Sequence, residues 1–578
     1  MMKTLRKISM ILAACLAVTG TVNMLPLTQT AQASTNLAED PREVLVSDDL
    51  AEAGEIQYRL CGDHAEAALL IDAANCTKAE IVPEIRGLPV TAISEGAFNG
   101  CKKLKEITIP ESVTFIGKNA FLDTQWLKDR KAENPFVIVN GILISGKDTD
   151  GRAVIPDGVT AIADGAFQGC TSMTEVTVPD GVTSIGAEAF RSCWALKGIQ
   201  LPDSVGSIGG AAFSECRALT SAVLPKDLES IPDAAFYGCR KLTDFAMPET
   251  VKNIGSHAFD GCACLTGNVI PPALNSLGAL AFAGCTGLTA VKIPEGVTGI
   301  PDGAFGGCTN LAEITVPESV TDFGEHVFSG TAWLAAKQQE DPVVTLNHVV
   351  IDGSAAEGDV IIPDGAVKIA RRAFEENLKL TAVTVPEGVT EIGDLAFYHC
   401  TALKNVSLPD SLTELGGAVF YCCSSLEDVT VPKNVPEIYD ATFAECSGLK
   451  RLTILNPACK IEYGAGSTIY VEYGRKCVTL CGYGNSTAAD YANFYKEHYN
   501  FEPIEPSLKR GDANCDGSVD ISDAVLICRF TVGDEDASIT DQGRVNADVT
   551  QDGKVDTGDS EKLLKYIAKK LTSLEPEA

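Results

Sequence analysis

The sequence predicts a β-rich solenoid built from 23-residue rungs, followed by a small all-α module. Three observations predict this fold class. Phenylalanine recurs at spacings of 23 or 46 residues through most of the chain. Each period contains a short run of alternating apolar residues that ends at proline. Beyond residue 510 the period stops, and two acidic loops appear, each followed by an apolar run of helical length.

Composition and charge narrow the classes of function. The 578 residues are 45% apolar and 21% charged, which is typical of a folded protein. A formal net charge of −32 would repel nucleic acid and anionic lipid, so neither is expected as a partner. The 21 cysteines form no zinc-type CxxC pairs, and only the N-terminus has an apolar run that approaches a membrane span. The sequence therefore argues against an integral membrane protein and against a zinc protein of the CxxC type.

The first residues resemble an export signal. The apolar run 8–27 follows Lys3, Arg6 and Lys7 and leads to an A-x-A peptidase site at residues 31–33. We expect residues 1–33 to be a signal peptide cleaved after Ala33. An alternative is lipidation at Cys15, which ends a lipobox-like sequence at residues 12–15. Either interpretation predicts a secreted, extracellular chain.

The repeated unit explains why the rungs must stack. Starting at Leu104, it reads L-x-x-I-x-I-P-x-x-V-x-x-I-G-x-x-A-F. Ile107 and Ile109 are two residues apart and so share one face of a short strand, which Pro110 ends. One 23-residue unit cannot bury these apolar positions alone, so neighbouring rungs must cover them. The repeated phenylalanines are Phe98, Phe121, Phe167, Phe190, Phe213, Phe236, Phe259, Phe282, Phe305, Phe328, Phe374, Phe397, Phe420 and Phe443.

Two slots of the array lack the phenylalanine, and the same residues occur at both. Trp126, Asn140 and the sequence Pro-Asp-Gly at 156–158 are repeated 207 residues later, with Trp333 and Asn347 among the equivalents. The array therefore contains a longer repeat of nine rungs. We expect residues 137–144 and 343–351 to form β-hairpins that bulge outward between rungs while preserving register.

Cysteine occupies the position three residues after most of the repeated phenylalanines. Asn377 takes that position once, and an exchange of cysteine for asparagine favours a buried structural ladder that bonds turn backbone over a redox centre. Parallel side-chain directions disfavour disulfides between rungs. The ladder residues are Cys101, Cys170, Cys193, Cys216, Cys239, Cys262, Cys285, Cys308, Cys400, Cys423 and Cys446.

This signature resembles the BspA-like leucine-rich repeats of bacterial surface and secreted proteins. The resemblance implies an N-terminal β cap at residues 34–90, an array at 91–455 and a C-terminal cap at 456–505. The two hairpin insertions would occupy about 122–158 and 329–365. A short linker at 506–510 would then precede the C-terminal module at 511–578.

The C-terminal module contains two EF-hand-like loops 36 residues apart. Oxygen ligands at positions 1, 3, 5, 9 and 12, with a backbone carbonyl at position 7, are typical of Ca²⁺ sites, and a glycine at position 6 permits the turn. The sequence therefore predicts two Ca²⁺ ions. The expected ligands are Asp512, Asn514, Asp516, Ser518, Asp520 and Asp523 in the first loop, and Asp548, Thr550, Asp552, Lys554, Asp556 and Asp559 in the second.

Paired loop-and-helix units of this kind resemble a type I dockerin, the module that attaches proteins to cohesins of a cellulosome scaffold. Thr550 departs from the usual asparagine at position 3, which implies weaker or water-mediated binding at the second site. The two halves differ, so the resemblance implies one dominant binding mode. The residues that it places against a cohesin are Ile521, Ser522, Arg529, Thr557, Gly558, Lys565 and Lys569.

No catalytic constellation is found in the sequence. The six histidines form no HExxH motif, and His257, His326 and His399 lie beside repeat phenylalanines, as turn residues would. The outward strand positions carry no aromatic residues, which favours protein recognition over sugar binding. Val223, Ala246 and Val269 occupy outward positions on three successive rungs. They are either an apolar patch or, as we favour, small residues that these positions tolerate.

The sequence thus predicts a secreted, non-catalytic cellulosome component whose array recognises an unknown protein or cell-surface ligand. Two alternatives stay open. One is an accessory enzyme of polysaccharide catabolism, because many dockerin-bearing proteins are such enzymes. The other is a structural or inhibitory surface protein with the same modules.

Overall fold

The computed structural model describes residues 50–146, 151–267, 269–462, 468–470, 478–504, 509–515, 517–534, 537–569 and 574. The predicted signal peptide 1–33 with Cys15 and Ala33, residues 34–49, the calcium ligand Asp516 and linker residues 506–508 lie outside them. Within the described residues, no helix combines the length and apolar character needed to cross a membrane.

The first face of the solenoid consists of parallel strands that are contributed by the L-x-x-I-x-I-P part of the rungs. Neighbouring strands pair in register one rung apart, as Ile199 does with Ala222. The strands are Lys78–Glu80 (β4), Glu106–Thr108 (β7), Gly151–Val154 (β11), Met173–Thr177 (β13), Gly198–Gln200 (β15), Ser221–Val223 (β17), Asp244–Phe245 (β19), Ala290–Lys292 (β22), Glu313–Thr315 (β24), Gly358–Ile361 (β28), Leu380–Thr384 (β30), Asn405–Ser407 (β32), Asp428–Val431 (β34), Arg451–Ile454 (β36), Val478–Gly482 (β38) and Tyr499–Pro503 (β39).

A second face, also of parallel strands, is formed in a part of the rung for which the sequence analysis predicted no strand. A large apolar residue, most often isoleucine, is buried there and pairs with its equivalent in the next rung, as Ile185 does with Ile208. The strands are Phe115–Ile116 (β8), Ile142–Ser145 (β10), Ala161–Ile162 (β12), Ser184–Ile185 (β14), Ser207–Ile208 (β16), Ser230–Ile231 (β18), Asn253–Ile254 (β20), Ser276–Leu277 (β21), Gly299–Ile300 (β23), Asp322–Phe323 (β25), Val349–Asp352 (β27), Lys368–Ile369 (β29), Glu391–Ile392 (β31), Glu414–Leu415 (β33), Glu437–Ile438 (β35) and Lys460–Ile461 (β37).

The repeated phenylalanines stack in the interior, as the period predicts. Neighbouring rings of the ladder lie 4.9–6.1 Å apart, with planes within 17° of each other. Each stacked aromatic pair of this kind contributes about 0.5–1.5 kcal/mol beyond its buried area. Backbone bonds reinforce the stacking, because the Phe167 N–H donates to the Ala189 carbonyl of the next rung at 2.8 Å.

The ladder cysteines bond the backbone of the preceding rung. From Cys193 onward their Sγ atoms donate to a phenylalanine carbonyl one rung earlier, at 3.0–3.3 Å. Asn377 donates in the same way to the Gly353 and Ala356 carbonyls at 2.9 and 2.8 Å. The exchange of cysteine for asparagine is therefore an exchange of hydrogen-bond donors, and the expected structural ladder is confirmed.

Each slot that lacks the phenylalanine contains a hairpin, as expected, but also a helix that the sequence analysis missed. The helices are Gln125–Glu133 (α1) and Ala332–Glu340 (α2), and Thr124 and Thr331 cap their first turns. Trp126 packs against Phe121 with ring centroids 4.7 Å apart and so ends the ladder on that side. Hydrophobic periodicity did not show these helices, because each is only nine residues long and contains few buried residues.

The hairpins are part of the solenoid and do not simply bulge from it. Val137–Val139 (β9) and Val344–Leu346 (β26) are the outer antiparallel strands, whereas β10 and β27 join the second parallel face. The amide of Asn140 donates to the Pro110 and Val113 carbonyls, at 2.8 and 3.1 Å, and Asn347 makes the equivalent bonds in its own slot. At Gly146 a Cβ atom would overlap the ring of Phe167, so glycine is required where the chain crosses the missing slot.

Strands and a helix cover the two ends of the array. The N-terminal end is a sheet of Leu50–Ala53 (β1), Ile56–Leu60 (β2), Ala65–Leu70 (β3), Glu84–Ile85 (β5) and Leu88–Ile93 (β6). At the C-terminal end, helix Thr487–Phe494 (α3) packs its buried Ala488 and Tyr491 against the last strands.

Candidate functional site

The C-terminal module consists of three helices around a small apolar core. Ile521–Thr531 (α4) and Thr557–Ile567 (α6) follow the two acidic loops, as predicted. Asp541–Ala547 (α5), a third helix between them, was not predicted. The core is made of Ala513, Ala524, Ile527, Ala547, Val549, Leu563 and Leu574.

The first loop folds around the carboxylate of its last residue. Asp523 is fully buried, and its oxygens accept from the Asn514 and Asp520 backbone N–H groups at 3.1 and 3.0 Å. Asp512, which begins the loop and is also buried, accepts from the Gly517 N–H at 3.0 Å. Hydrogen bonds from the Ser522 hydroxyl and then from its backbone N–H lower the pKa of Asp520. Ser518 is exposed, and Asp516 lies outside the described residues.

The second loop repeats the backbone hydrogen bonds to its first and last carboxylates. Asp559 is fully buried and accepts from the Thr550 and Asp556 backbone N–H groups, at 2.8 and 2.9 Å. Asp548 accepts from the Asp552 and Gly553 N–H groups at 3.0 and 2.9 Å, and Asp552 also accepts from Lys554 N–H. The Thr550 hydroxyl donates to Asp559 at 2.9 Å.

Buried asparagine joins the two loops. Asn546 is 1% exposed, and its side-chain amide donates to the Asp512 backbone carbonyl at 2.9 Å. The Asn546 backbone carbonyl accepts from the Gly511 N–H at 2.7 Å. The position of one loop therefore depends on the other. The sequence analysis did not find Asn546, since it lies outside both loop motifs.

The donor set fits a hard divalent cation. Carboxylates are rarely buried without a compensating positive charge, yet Asp523 and Asp559 are both fully buried at the last loop position. Oxygen ligands at this spacing match Ca²⁺ in type and number. Glycine is also needed in both loops, because Gly517 and Gly553 have φ values of 84° and 82°.

The predicted docking residues all lie on the module, at the ends of its two longer helices. Ile521 and Ser522 are exposed in the first turn of α4, and Thr557 and Gly558 occupy the first turn of α6. The basic residues are Arg529 and Lys565, in the last turns of these helices, and Lys569, two residues beyond α6. Both helical cations have acidic partners, because Arg529 pairs with Asp534 and Lys565 with Glu561, each at 2.7 Å.

On the first strand face of the array, Val223, Ala246 and Val269 do not form one apolar patch, which was the less favoured of the two interpretations of the sequence. Val223 is 53% exposed and Ala246 is also exposed, whereas Val269 is only 2% exposed. The expectation for Val269 was wrong. The sequence places Asn268 where other rungs have an inward apolar residue, so the alternation that assigns Val269 outward does not apply in this rung.

Comparison with known proteins identifies both parts. Residues 75–139, 151–266, 229–346 and 358–467 match the BspA type leucine rich repeat region, in six copies. The chain belongs to the BspA-type leucine-rich-repeat proteins. Residues 510–568 match the dockerin type I domain. The fold class expected from the sequence and both family resemblances are confirmed.

Individual proteins resemble this chain over a short segment or at low sequence identity. A xylanase/beta-glucanase from Ruminococcus flavefaciens is 40% identical over 79 residues, which are 12% of this chain and 10% of that enzyme. This chain thus spans about a tenth of the length of that curated relative. A leucine-rich repeat protein from Bacteroides ovatus is 20% identical, with 79% of this chain and all of that chain covered, at a TM-score of 0.30. A leucine rich cell surface protein from Faecalibacterium prausnitzii is 22% identical, with 74% and 99% covered, at a TM-score of 0.29.

Dockerin domains of type I are calcium-binding modules of extracellular cellulosome components, and they bind cohesins.

The two longer dockerin helices, α4 and α6, differ in their exposed residues. One turn beyond Ile521, α4 exposes Val525, whereas the equivalent position of α6 is Glu561, which pairs with Lys565. The sequence analysis missed Val525 and the exposed Leu564 on α6. The sequence feature that could have identified them is an apolar residue on the side of the helix that faces away from the core.

Proposed function

We propose that this chain is a secreted, non-catalytic cellulosome component that the dockerin attaches to a cohesin of a scaffold protein. The array recognises a protein or cell-surface ligand. The observation that carries the proposal is the pair of equivalent loop-and-helix units, in which buried Asp523 and Asp559 hold both loops against α4 and α6. In the proposed division, residues 34–90 cap the array 91–455, and 456–505 form the second cap.

Two calcium ions organise the docking face in this proposal. The ligands are Asp512, Asn514, Asp516, Ser518, Asp520 and Asp523 at one ion, and Asp548, Thr550, Asp552, Lys554, Asp556 and Asp559 at the other. Asp520 and Asp556 are also the N-cap residues of α4 and α6. An ion that orders the loop therefore fixes the start of the helix that meets the cohesin.

The two halves of the dockerin present different chemistry to a cohesin. The α4 side offers exposed Ile521 and Val525, whereas the α6 side offers Thr557, Gly558 and the Lys565–Glu561 pair. A cohesin surface that fits one side fits the other poorly, which supports one dominant mode. Arg529 and Lys569 lie at the far ends of the two sides.

Cohesin capture by the full chain tests this proposal. Immobilised type I cohesin should retain the wild-type chain in Ca²⁺ and release it in chelator. Asp523→Asn and Asp559→Asn should each weaken capture, because both remove a buried carboxylate from a loop. Asp490→Asn on α3 is the matched control and should have no effect, since this exposed residue belongs to the array cap.

Substitutions on each side of the dockerin test whether it binds the cohesin in one orientation or in two. Charge reversal of Lys565 and Lys569 should weaken binding by about 1 kcal/mol or more if they meet carboxylates at a desolvated interface. Changes at Ile521, Ser522 and Arg529 should then have less effect, and equal losses from both sets would indicate two usable orientations. Full cohesin affinity after truncation at residue 506 would contradict the proposal, and polysaccharide hydrolysis by the truncated chain would contradict its non-catalytic part.

A further inference from the structure

A cluster of three metal-ligating side chains lies on the N-terminal sheet, far in sequence from the dockerin. Cys61 and His64 occupy the turn between β2 and β3, and Glu66 is the second residue of β3. Their ligand atoms all lie within 4.8 Å of one another. No other group of this kind is found among the described residues.

The hairpin turn brings these residues together. The Cys61 N–H donates to the His64 carbonyl at 2.8 Å, which closes the turn, and Gly62 adopts a φ of 74° that favours glycine. Glu66 follows His64 by two residues and so points to the same side of the strand. The three side chains are thus held on one side by backbone geometry.

Neighbouring groups orient two of the three ligands. The Asp63 carboxylate lies 2.8 Å from His64 Nδ1, so the other ring nitrogen, Nε2, faces Glu66, with its Oε1 at 4.0 Å. The second Glu66 oxygen accepts from the Ser94 hydroxyl at 2.8 Å and lies 3.4 Å from Arg59. A carboxylate on the far nitrogen of a metal-ligating histidine is the usual arrangement in zinc sites.

We propose that Cys61, His64 and Glu66 bind one Zn²⁺ ion. Zinc takes sulfur, nitrogen and carboxylate ligands at about 2.0–2.3 Å, so tetrahedral geometry separates its ligand atoms by about 3.3–3.8 Å. The observed separations require only a small contraction of side chains that are partly exposed. Three protein ligands leave the fourth position for water or for a group of another molecule. The absence of CxxC pairs hid this site, because its ligands come from a Cys-x-x-His turn and a strand.

Zinc titration of the reduced full chain tests the proposal. A phosphine reductant keeps thiols reduced, and excess Ca²⁺ saturates the dockerin loops, whose oxygen ligands prefer that ion. Calorimetry with Zn²⁺ alone should find one site that Cys61→Ser and His64→Gln each weaken at least about 100-fold. Asp63→Asn should weaken it about 10–100-fold, as expected for a group that orients a ligand. Cys264→Ser and His257→Gln are matched controls on the array and should bind as the wild type does.

Cobalt provides a readout that does not depend on stability. Co²⁺ in the site should give a thiolate-to-metal charge-transfer band that disappears in Cys61→Ser, while the circular dichroism of the metal-free variant stays as in the wild type. Unchanged zinc binding by the Cys61→Ser, His64→Gln double variant would overturn the proposal. So would the absence of the cobalt band in the wild type, or recovery of Cys61 in a disulfide from unreduced protein.

Discussion

The array and the dockerin of one chain are stabilised in different ways. In the array, buried phenylalanine, leucine and cysteine side chains repeat in most rungs, and almost every buried residue is apolar. Among the described residues of the dockerin, the apolar core cluster has seven members, and Asp512, Asp523 and Asp559 are buried beside it. We therefore expect packing alone to hold the array, and the dockerin to depend on a cation that compensates its buried charge.

The first and largest expected effect is the response to chelation. Removal of Ca²⁺ should unfold α4, α5 and α6, because clustered carboxylates then repel one another, and should leave the array folded. Hydrogen exchange measured by mass spectrometry can follow both regions in one sample. If α4 and α6 stay protected from hydrogen exchange in chelator, the dockerin is as independent of Ca²⁺ as the array, and the proposed difference between them is wrong.

A smaller effect is expected from breaking the aromatic ladder. Phe236→Ala removes a fully buried ring that stacks on Phe213 and Phe259, and should cost about 3–5 kcal/mol. The loss should appear as faster exchange in neighbouring rungs, since each rung contacts only its neighbours. Phe494→Ala on α3 is the control, because that ring is 71% exposed. A loss of similar size in both variants would contradict the ladder argument.

The thiol ladder should contribute less per residue. Cys308→Ala removes one of two hydrogen bonds to the Phe282 carbonyl, which keeps the bond from the Cys285 N–H. It should cost about 0.5–1.5 kcal/mol in urea unfolding, whereas exposed Cys264→Ala should cost almost nothing. Burial raises the pKa of the Cys308 thiol to about 12, so a thiol reagent at neutral pH should reach it only after unfolding. Titration of denatured, unreduced protein should find most of the eleven ladder cysteines reduced. Nearly complete oxidation would contradict the structural ladder.

The smallest effect concerns pH at the second insertion. His326 Nε2 lies 3.0 Å from Glu375, and this hydrogen bond raises the pKa of the histidine. A raised folded-state pKa stabilises the fold fully below about pH 6.5, the ordinary value, and the contribution is lost as pH rises through the raised pKa. The imidazole is half exposed, so solvent screening limits the effect to about 1 kcal/mol or less.

The first insertion supplies the control for this pH effect. Asn119 is the equivalent of His326, and there the charge bridge across the insertion is Lys118 to Glu188, at 2.8 Å. His326→Asn should therefore flatten the dependence of stability on pH near neutrality without unfolding the second insertion. Thermal unfolding between pH 6 and 8 would measure it, and an unchanged slope in the variant would assign the dependence to other groups.

The sequence alone determined the features that repeat or that lie close together in the chain. The 23-residue period, the phenylalanine and cysteine ladders and the two calcium loops are local patterns whose spacing sets their geometry. The hairpins after Trp126 and Trp333 were also visible, because they recur after 207 residues.

Tertiary structure decided what depends on contacts between rungs or between distant residues. A two-residue strand such as Ser184–Ile185 exists only because its neighbours supply hydrogen bonds, so no local pattern predicts it. The short helices α1 and α2 depend on burial of Trp126 and Trp333 against the ends of the ladder. Asn546, which joins the loops, and Glu66, which accepts from Ser94, have hydrogen-bond partners that only the fold brings close to them.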